Sequence, residues 1–228
     1  MNTFTKLLAS GALALGMAAT AAPATAQVQG NVATADVSRA IIGTTALQTA
    51  YNQIGQQYSA QIEQRNAKQQ QLATLLQPFD ANANGQLEES ELPAIQGSPN
   101  FAQIQTLEQE IAAITGQVNG ARAYAVEQIL AQYPAALTQV TTQQQIVMVL
   151  QPDTIQFAAQ GADITQQVSA ALNTLVPAVQ IVPPANWRPS RNTPAIFQEI
   201  QQTLLAAQVM QQQQAQQQQP ATQAPQGR

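Results

Sequence analysis

Asp80, Asn82, Asn84, Gly85, Gln86, Glu88 and Glu91 are the residues whose types and spacing could do chemistry, because together they fit the calcium-loop pattern D-x-[DN]-x-[DN]-G-x5-E. A hard divalent cation of this kind takes about six to eight oxygen ligands. The side chains of Asp80, Asn82 and Asn84 would converge on it, and Gly85 would permit the sharp bend that follows. Gln86 would offer its backbone carbonyl, Glu88 would act through a water, and Glu91 would close the site with two oxygens. Phe79 and Leu87 supply the apolar residues expected around such a loop. The same residue types also build any polar helix-to-helix turn. Two of the side-chain ligands are neutral amides, there is no second loop of this kind to pair with, and Pro78 and Pro93 stand where flanking helix would be. Ca²⁺ at this loop and a plain polar turn are therefore both open from sequence. Bound calcium would stiffen the turn, and no other cofactor is required anywhere in the chain.

Elsewhere the residue inventory excludes more than it offers. The chain has no cysteine and no histidine, and charged residues are only 9% of it. The commonest general base, the thiol nucleophile and the usual zinc ligands are thus missing. No carboxylate pair stands out as catalytic and no Gly-rich phosphate loop is present, so an enzyme is not expected. The net charge is −4 without any basic patch, which argues against nucleic acid as a partner. Asp36 and Arg39 are placed to pair. Tyr51, Tyr58, Tyr124 and Tyr133 read as packing residues with their hydroxyls at the rim. Trp187, beside Arg188 and Arg191, reads as a side chain that packs its linker onto the domain, with docking of a partner as the competing reading.

The elements that must position these residues begin after an export signal. Residues 1–26 carry a positive Lys6, an apolar run Leu7–Met17 and the small-residue cleavage site Ala24, Thr25 and Ala26. No other stretch approaches the roughly 18 continuous apolar residues of a membrane span. The expected location is the periplasm, without stable membrane insertion. A body is expected from 31–43 and 140–182, with a helical arm over 44–137 whose tip is 78–100. Val32–Val37 reads as a short strand, followed by a helix capped by Ser38 and running to Leu47. Apolar residues at Leu47, Tyr51, Ile54, Tyr58 and Ile62, then Leu72, Leu75 and Leu76, predict a helix over 44–77. Its middle, from Glu63 to Gln71, is polar all round.

A fuller stripe from Phe101 to Tyr133 predicts the return helix, softened at Asn119 and Gly120 and ended by Pro134. Ile146–Leu150 and Thr154–Ala158 flank a Pro152–Asp153 turn and read as a β-hairpin. Asp163 is placed to cap a helix from Ile164 to about Leu175, and Val179–Val182 could add a short extended piece. Residues 183–194 form a Pro-rich linker and 195–213 a closing helix, with Ile196, Phe197, Ile200 and Leu204 on one face. The Gln-rich tail 214–228 is expected to be disordered. The fold class is α+β, mostly α: a long antiparallel helical hairpin projecting from a small sheet. With aromatic content of 4%, one copy has few large side chains to bury, which points to an oligomer.

The order of strand, helical hairpin, strands and closing helix over about 31–176 resembles the Skp/OmpH family of periplasmic chaperones. Val32–Arg39, with Asp36, Val37 and Arg39 at the exit of the strand, is similar to that family's opening. Asp163, Ile164 and Thr165 are similar to the start of its closing helix. The resemblance implies a homotrimer in which strands from each chain complete a central barrel and the arms enclose a cavity for unfolded outer-membrane proteins. The function so implied is an ATP-independent holdase. The chain departs from the family in being acidic and Lys-poor, which puts lipopolysaccharide binding in doubt, and in extending beyond the family core from Pro183 onward. A non-catalytic spacer or adaptor of the cell envelope is the alternative, and a secreted calcium-binding protein with the hairpin as scaffold a third.

Overall fold

The computed structural model describes residues 30–80, 88–159 and 161–217. These are mostly helical, with one small sheet. Strand β1 (Asn31–Thr34) leads into α1 (Val37–Ile42), α2 (Thr45–Gln57) and α3 (Ser59–Leu76). Beyond the turn-around come α4 (Leu92–Gln96), α5 (Phe101–Leu130) and α6 (Tyr133–Gln143), then β2 (Ile146–Leu150), α7 (Thr165–Leu175) and α8 (Thr193–Gln217).

Strands β1 and β2 pair in parallel, with Val32 opposite Met148, Ala33 opposite Val149 and Thr34 opposite Leu150. A parallel pair needs a long crossover, and the helices from α1 to α6 supply it. Glycine is required at the entry to β1. Gly30 has φ +138, and a Cβ there would run into the side chain of Val147. The expected hairpin of Ile146–Leu150 with Thr154–Ala158 does not form. Pro152–Thr154 is a tight 3₁₀ turn, with the Thr154 N–H and hydroxyl both donating to the Gln151 carbonyl. Hairpin turns that match strand twist need positive φ, which proline, aspartate and threonine do not supply here. The far side of β1 is met instead by residues 162–164: the Thr34 N–H donates to the Ala162 carbonyl, and the Ile164 N–H to the Thr34 carbonyl.

Helices α2 and α3 run along α5 in the opposite direction. Tyr51 lies by Arg122, Tyr58 clusters with Val118, and Lys68 Nζ is 2.7 Å from a Glu110 oxygen, so one number falls as the other climbs. The expected single helix over 44–77 is divided at Tyr58, whose backbone still bonds back to Ile54 and forward to Ile62. The first helix also differs from expectation. Asp36, not Ser38, is its cap, with Oδ1 accepting from the Arg39 N–H at 2.8 Å, and it stops at Gly43. Thr44 then caps α2 through the Leu47 N–H. Asn119 and Gly120 leave α5 unbroken, and Pro134 sits in the first turn of α6, where its missing N–H costs nothing, so it opens a helix and does not end one.

The core gathers at the base. Ile41 of α1, Val126 and Ile129 of α5, Ile164, Val168 and Leu172 at α7, and Ile200 of α8 form one buried cluster. Fully burying a side chain of this size contributes about 1.5–3 kcal/mol. A second cluster of Ile54, Tyr58, Val118 and Ala121 continues it outward. Helix α3 then has no buried residue, in keeping with its glutamine-rich sequence. Burial returns near the turn-around at Ile95, Ile104 and Leu107.

Candidate functional site

Three places carry the residues singled out by type, beginning at the turn-around. Asp80 ends the 3₁₀ turn Gln77–Phe79 and is half-buried. Glu91 is 7% exposed, and its Oε2 accepts from the Glu88 N–H at 3.1 Å, tying the last position of the loop to the ninth. Asn82, Asn84 and Gln86 lie outside the described residues. Among the described residues no group of three or more acidic, histidine or cysteine side chains is arranged to hold a metal.

The second place is the sheet. Val147, Met148 and Leu150 of β2 are exposed, as is Val32 of β1, and Phe157 just beyond is 87% exposed. Among the described residues β2 has a strand partner only on its β1 side. Its five residues contain no charge and no proline. A two-stranded sheet with an unguarded apolar edge is marginal by itself and offers a template for another strand. Sequence reasoning placed a strand at Thr154–Ala158 against this edge; the structure leaves the edge open.

The third place is the seam where the C-terminal segment meets α5, and here sequence reasoning missed the central residue. Glu127 takes the Ser190 N–H at 2.8 Å, the Thr193 hydroxyl at 2.7 Å and the Trp187 indole N–H at 3.3 Å. Burial pushes its carboxyl up, but the hydrogen bonds from Ser190, Thr193 and Trp187 more than offset this and hold it below the ordinary carboxylate range. Trp187 packs edge-on against Tyr124 at 5.3 Å. Within the expected 183–194 linker, residues 183–192 form neither helix nor strand, while Thr193 and Pro194 already belong to α8, and the segment is pinned. Next to it, the Gln128 amide brackets the backbone of Gln180, accepting from its N–H at 2.9 Å and donating to its carbonyl at 2.8 Å. The extended piece at 179–182 is thus paired with a side chain and not with a strand. The signal available in the sequence was an isolated glutamate in an alanine-rich helix turn, which looks like a solvated residue until Ser190 and Thr193 arrive.

Helix α8 runs to Gln217, so residues 214–217, expected to be tail, are helical. Residues 1–26, read as the signal, lie outside the described residues, as do 218–228. Near the middle of α8, the Gln201 amide donates to the Tyr51 hydroxyl at 3.2 Å, and the Arg122 guanidinium lies 5.7 Å over the Tyr51 ring. Burial pushes the Tyr51 phenol up to about 12, against the opposing charge of Arg122. At the other end of the body, Arg39 bridges Asp36 at 2.9 Å and Asp163 at 3.2 Å. Asp163 Oδ1 also takes the Thr165 N–H and hydroxyl, but the cap of α7 is Ile164 and not, as expected, Asp163, and the helix begins one residue later than expected, at Thr165.

No family model and no curated protein matches this sequence. Among solved structures, a candidate outer membrane chaperone, OmpH-like, from Caulobacter crescentus is similar, with 17% identity and a TM-score of 0.40 over 68% of this chain and 91% of that one. No helix among the described residues is long and apolar enough to cross a membrane.

Proposed function

We propose that this protein is an ATP-independent holdase of the Skp/OmpH type: a periplasmic homotrimer that binds unfolded outer-membrane proteins and prevents their aggregation. The observation that carries the reading is the open apolar edge of β2, where Val147, Met148 and Leu150 are exposed on a sheet too small to stand alone. Joining these edges between copies would close the sheets into one body and remove the exposed strands. Helices α3 and α5 would then extend as arms, and the polar surface of α3 would hold an unfolded β-chain by many weak contacts. No catalytic step is assigned to the protein in this reading. The test is twofold. The purified protein should sediment as a trimer, and an unfolded porin-like client should scatter less light as trimer is added up to stoichiometry. A stable monomer, or no suppression of aggregation at any ratio, overturns the proposal.

The absence of buried residues along α3 favours one other reading, a solvent-bridging spacer of the cell envelope. Capture of one stoichiometric partner from envelope extracts, in place of many outer-membrane proteins, would select it. Calcium at Asp80, Asn82, Asn84, Gln86, Glu88 and Glu91 is proposed as an accessory feature of the turn-around. Calorimetry with millimolar Ca²⁺ should give heat that an Asp80→Ala/Glu91→Ala variant lacks, and identical traces remove the site.

A further inference from the structure

Among the described residues, sulfur is confined to the surface. The chain has no cysteine, and of its four methionines Met148 and Met210 fall among those residues. Methionine is ordinarily a gap-filler of cores, yet here the buried apolar residues are alanines, valines, leucines, isoleucines and Tyr58. Met148 is 41% exposed and Met210 60%. Their surroundings differ. Met210 lies in the glutamine-rich end of α8, where its neighbours along the helix are exposed. Met148 lies inside the uncharged strand β2. The register sets it beside Val32, and alternation along the strand puts Leu150 on the same face. Three exposed apolar side chains thus adjoin, with the thioether in the middle. Neither Val32, Leu150 nor the flanking Val147 and Val149 has a side-chain hydrogen-bond donor.

We propose that Met148 is a site of reversible oxidation that switches the surface of β2 between an apolar and a polar state. The oxidant is a hydroperoxide. The thioether sulfur attacks its terminal oxygen, the O–O bond breaks and an S–O bond forms. The sulfur gives up two electrons, and hydrogen peroxide leaves as water. With no thiol in the chain to reverse the step, return requires a sulfoxide reductase, in which two thiols become a disulfide and the oxygen departs as water. Because neither methionine belongs to the core, oxidation spares the fold and changes only the surface. The sulfoxide oxygen is an acceptor with water as its partner. A second chain laid against β2 would strip that water and leave the acceptor unpaired. The chemistry stands apart from the holdase reading, whereas its consequence for assembly rests on β2 joining copies.

The test treats the full chain with millimolar hydrogen peroxide. Peptide mass mapping should find an added oxygen at Met148 and at Met210, with helix content by circular dichroism unchanged. In sedimentation the oxidised chain should associate about tenfold more weakly, as expected for one acceptor left unpaired. Met148→Leu should keep its association through the same treatment, and Met210→Leu should lose it as the native chain does. A methionine sulfoxide reductase supplied with dithiothreitol should restore the native chain. A Met148 that stays unmodified while Met210 is converted overturns the inference. So does oxidised protein that associates as before, an equal loss in Met148→Leu, or a loss that the reductase fails to reverse. If the untreated chain is a monomer at every concentration, the holdase reading fails on its own, and the switch is then read with a fluorescent apolar dye. Its emission should fall on oxidation of the native chain and hold in Met148→Leu. An equal response of the two chains, a fall in both or in neither, overturns the inference there as well.

Discussion

Glu127 shows how much a single carboxylate can organise. Three donors from the 187–193 segment converge on it, and charge-assisted hydrogen bonds exceed neutral ones in strength. Glu127→Ala should cost about 2 kcal/mol and loosen the start of α8, read as a red shift of Trp187 fluorescence. The pH dependence follows from direction alone. The folded carboxyls of Glu127 and Asp163 both lie below their ordinary values. Their contribution is present above the unfolded values, about 4, and is lost as pH falls through the folded ones. Acid unfolding followed by Trp187 should therefore begin less steeply in Glu127→Ala than in the native chain. Tyr51 acts at the other limit. Its phenol is raised to about 12, so its contribution is whole below the unfolded value of about 10 and lost as pH climbs through the folded one. Tyr51→Phe should remove that part of the alkaline loss of stability. Gly43 is fixed by contact, because a Cβ there would lie 2.6 Å from Ser169 Oγ, which donates to the Ala40 carbonyl. Gly43→Ala should destabilise by roughly 1–3 kcal/mol, measured by denaturant titration.

Among the elements, α5 makes the opposite prediction. Gly116 and Gly120 lie inside a continuous helix, and an added Cβ at either meets nothing within 4 Å. Gly116→Ala and Gly120→Ala should each stabilise by about 0.5–1 kcal/mol, visible as a higher Tm. The helices themselves were legible because their apolar spacing is period-driven: Leu47, Ile54 and Tyr58 are buried against α5 as the stripe required. The breaks between them were not legible. Tyr58, Gly43 and Pro134 interrupt or open helices according to local backbone geometry, which a hydrophobic pattern does not encode. Strand pairing was misread for a different reason. Ile146–Leu150 was found correctly, but its partner lies more than a hundred residues upstream, and a Pro–Asp turn next door offered a nearer and wrong one. The candidate sites divide in the same way. The contiguous loop 80–91 could be picked out from spacing alone, whereas Glu127 acquires meaning only when α8 folds back on it.

For the whole molecule, the decisive experiment lies at the sheet. Val147→Asp with Met148→Asp places charge on exposed positions of β2, so the individual fold should survive with little change in helix content. If β2 edges join copies as proposed, the double variant should sediment as a monomer and lose its ability to keep a porin-like client in solution. The parallel pairing of β1 with β2 has one more consequence. Both ends of the excursion are fastened at the same spot, while the two legs meet side by side along their length, as at Lys68 and Glu110. Reach is consequently adjustable: equal trimming of both legs, in multiples that keep each helix face in phase, slides the turn-around toward the base and leaves the fastening untouched. Trimming one leg alone puts every rung out of step.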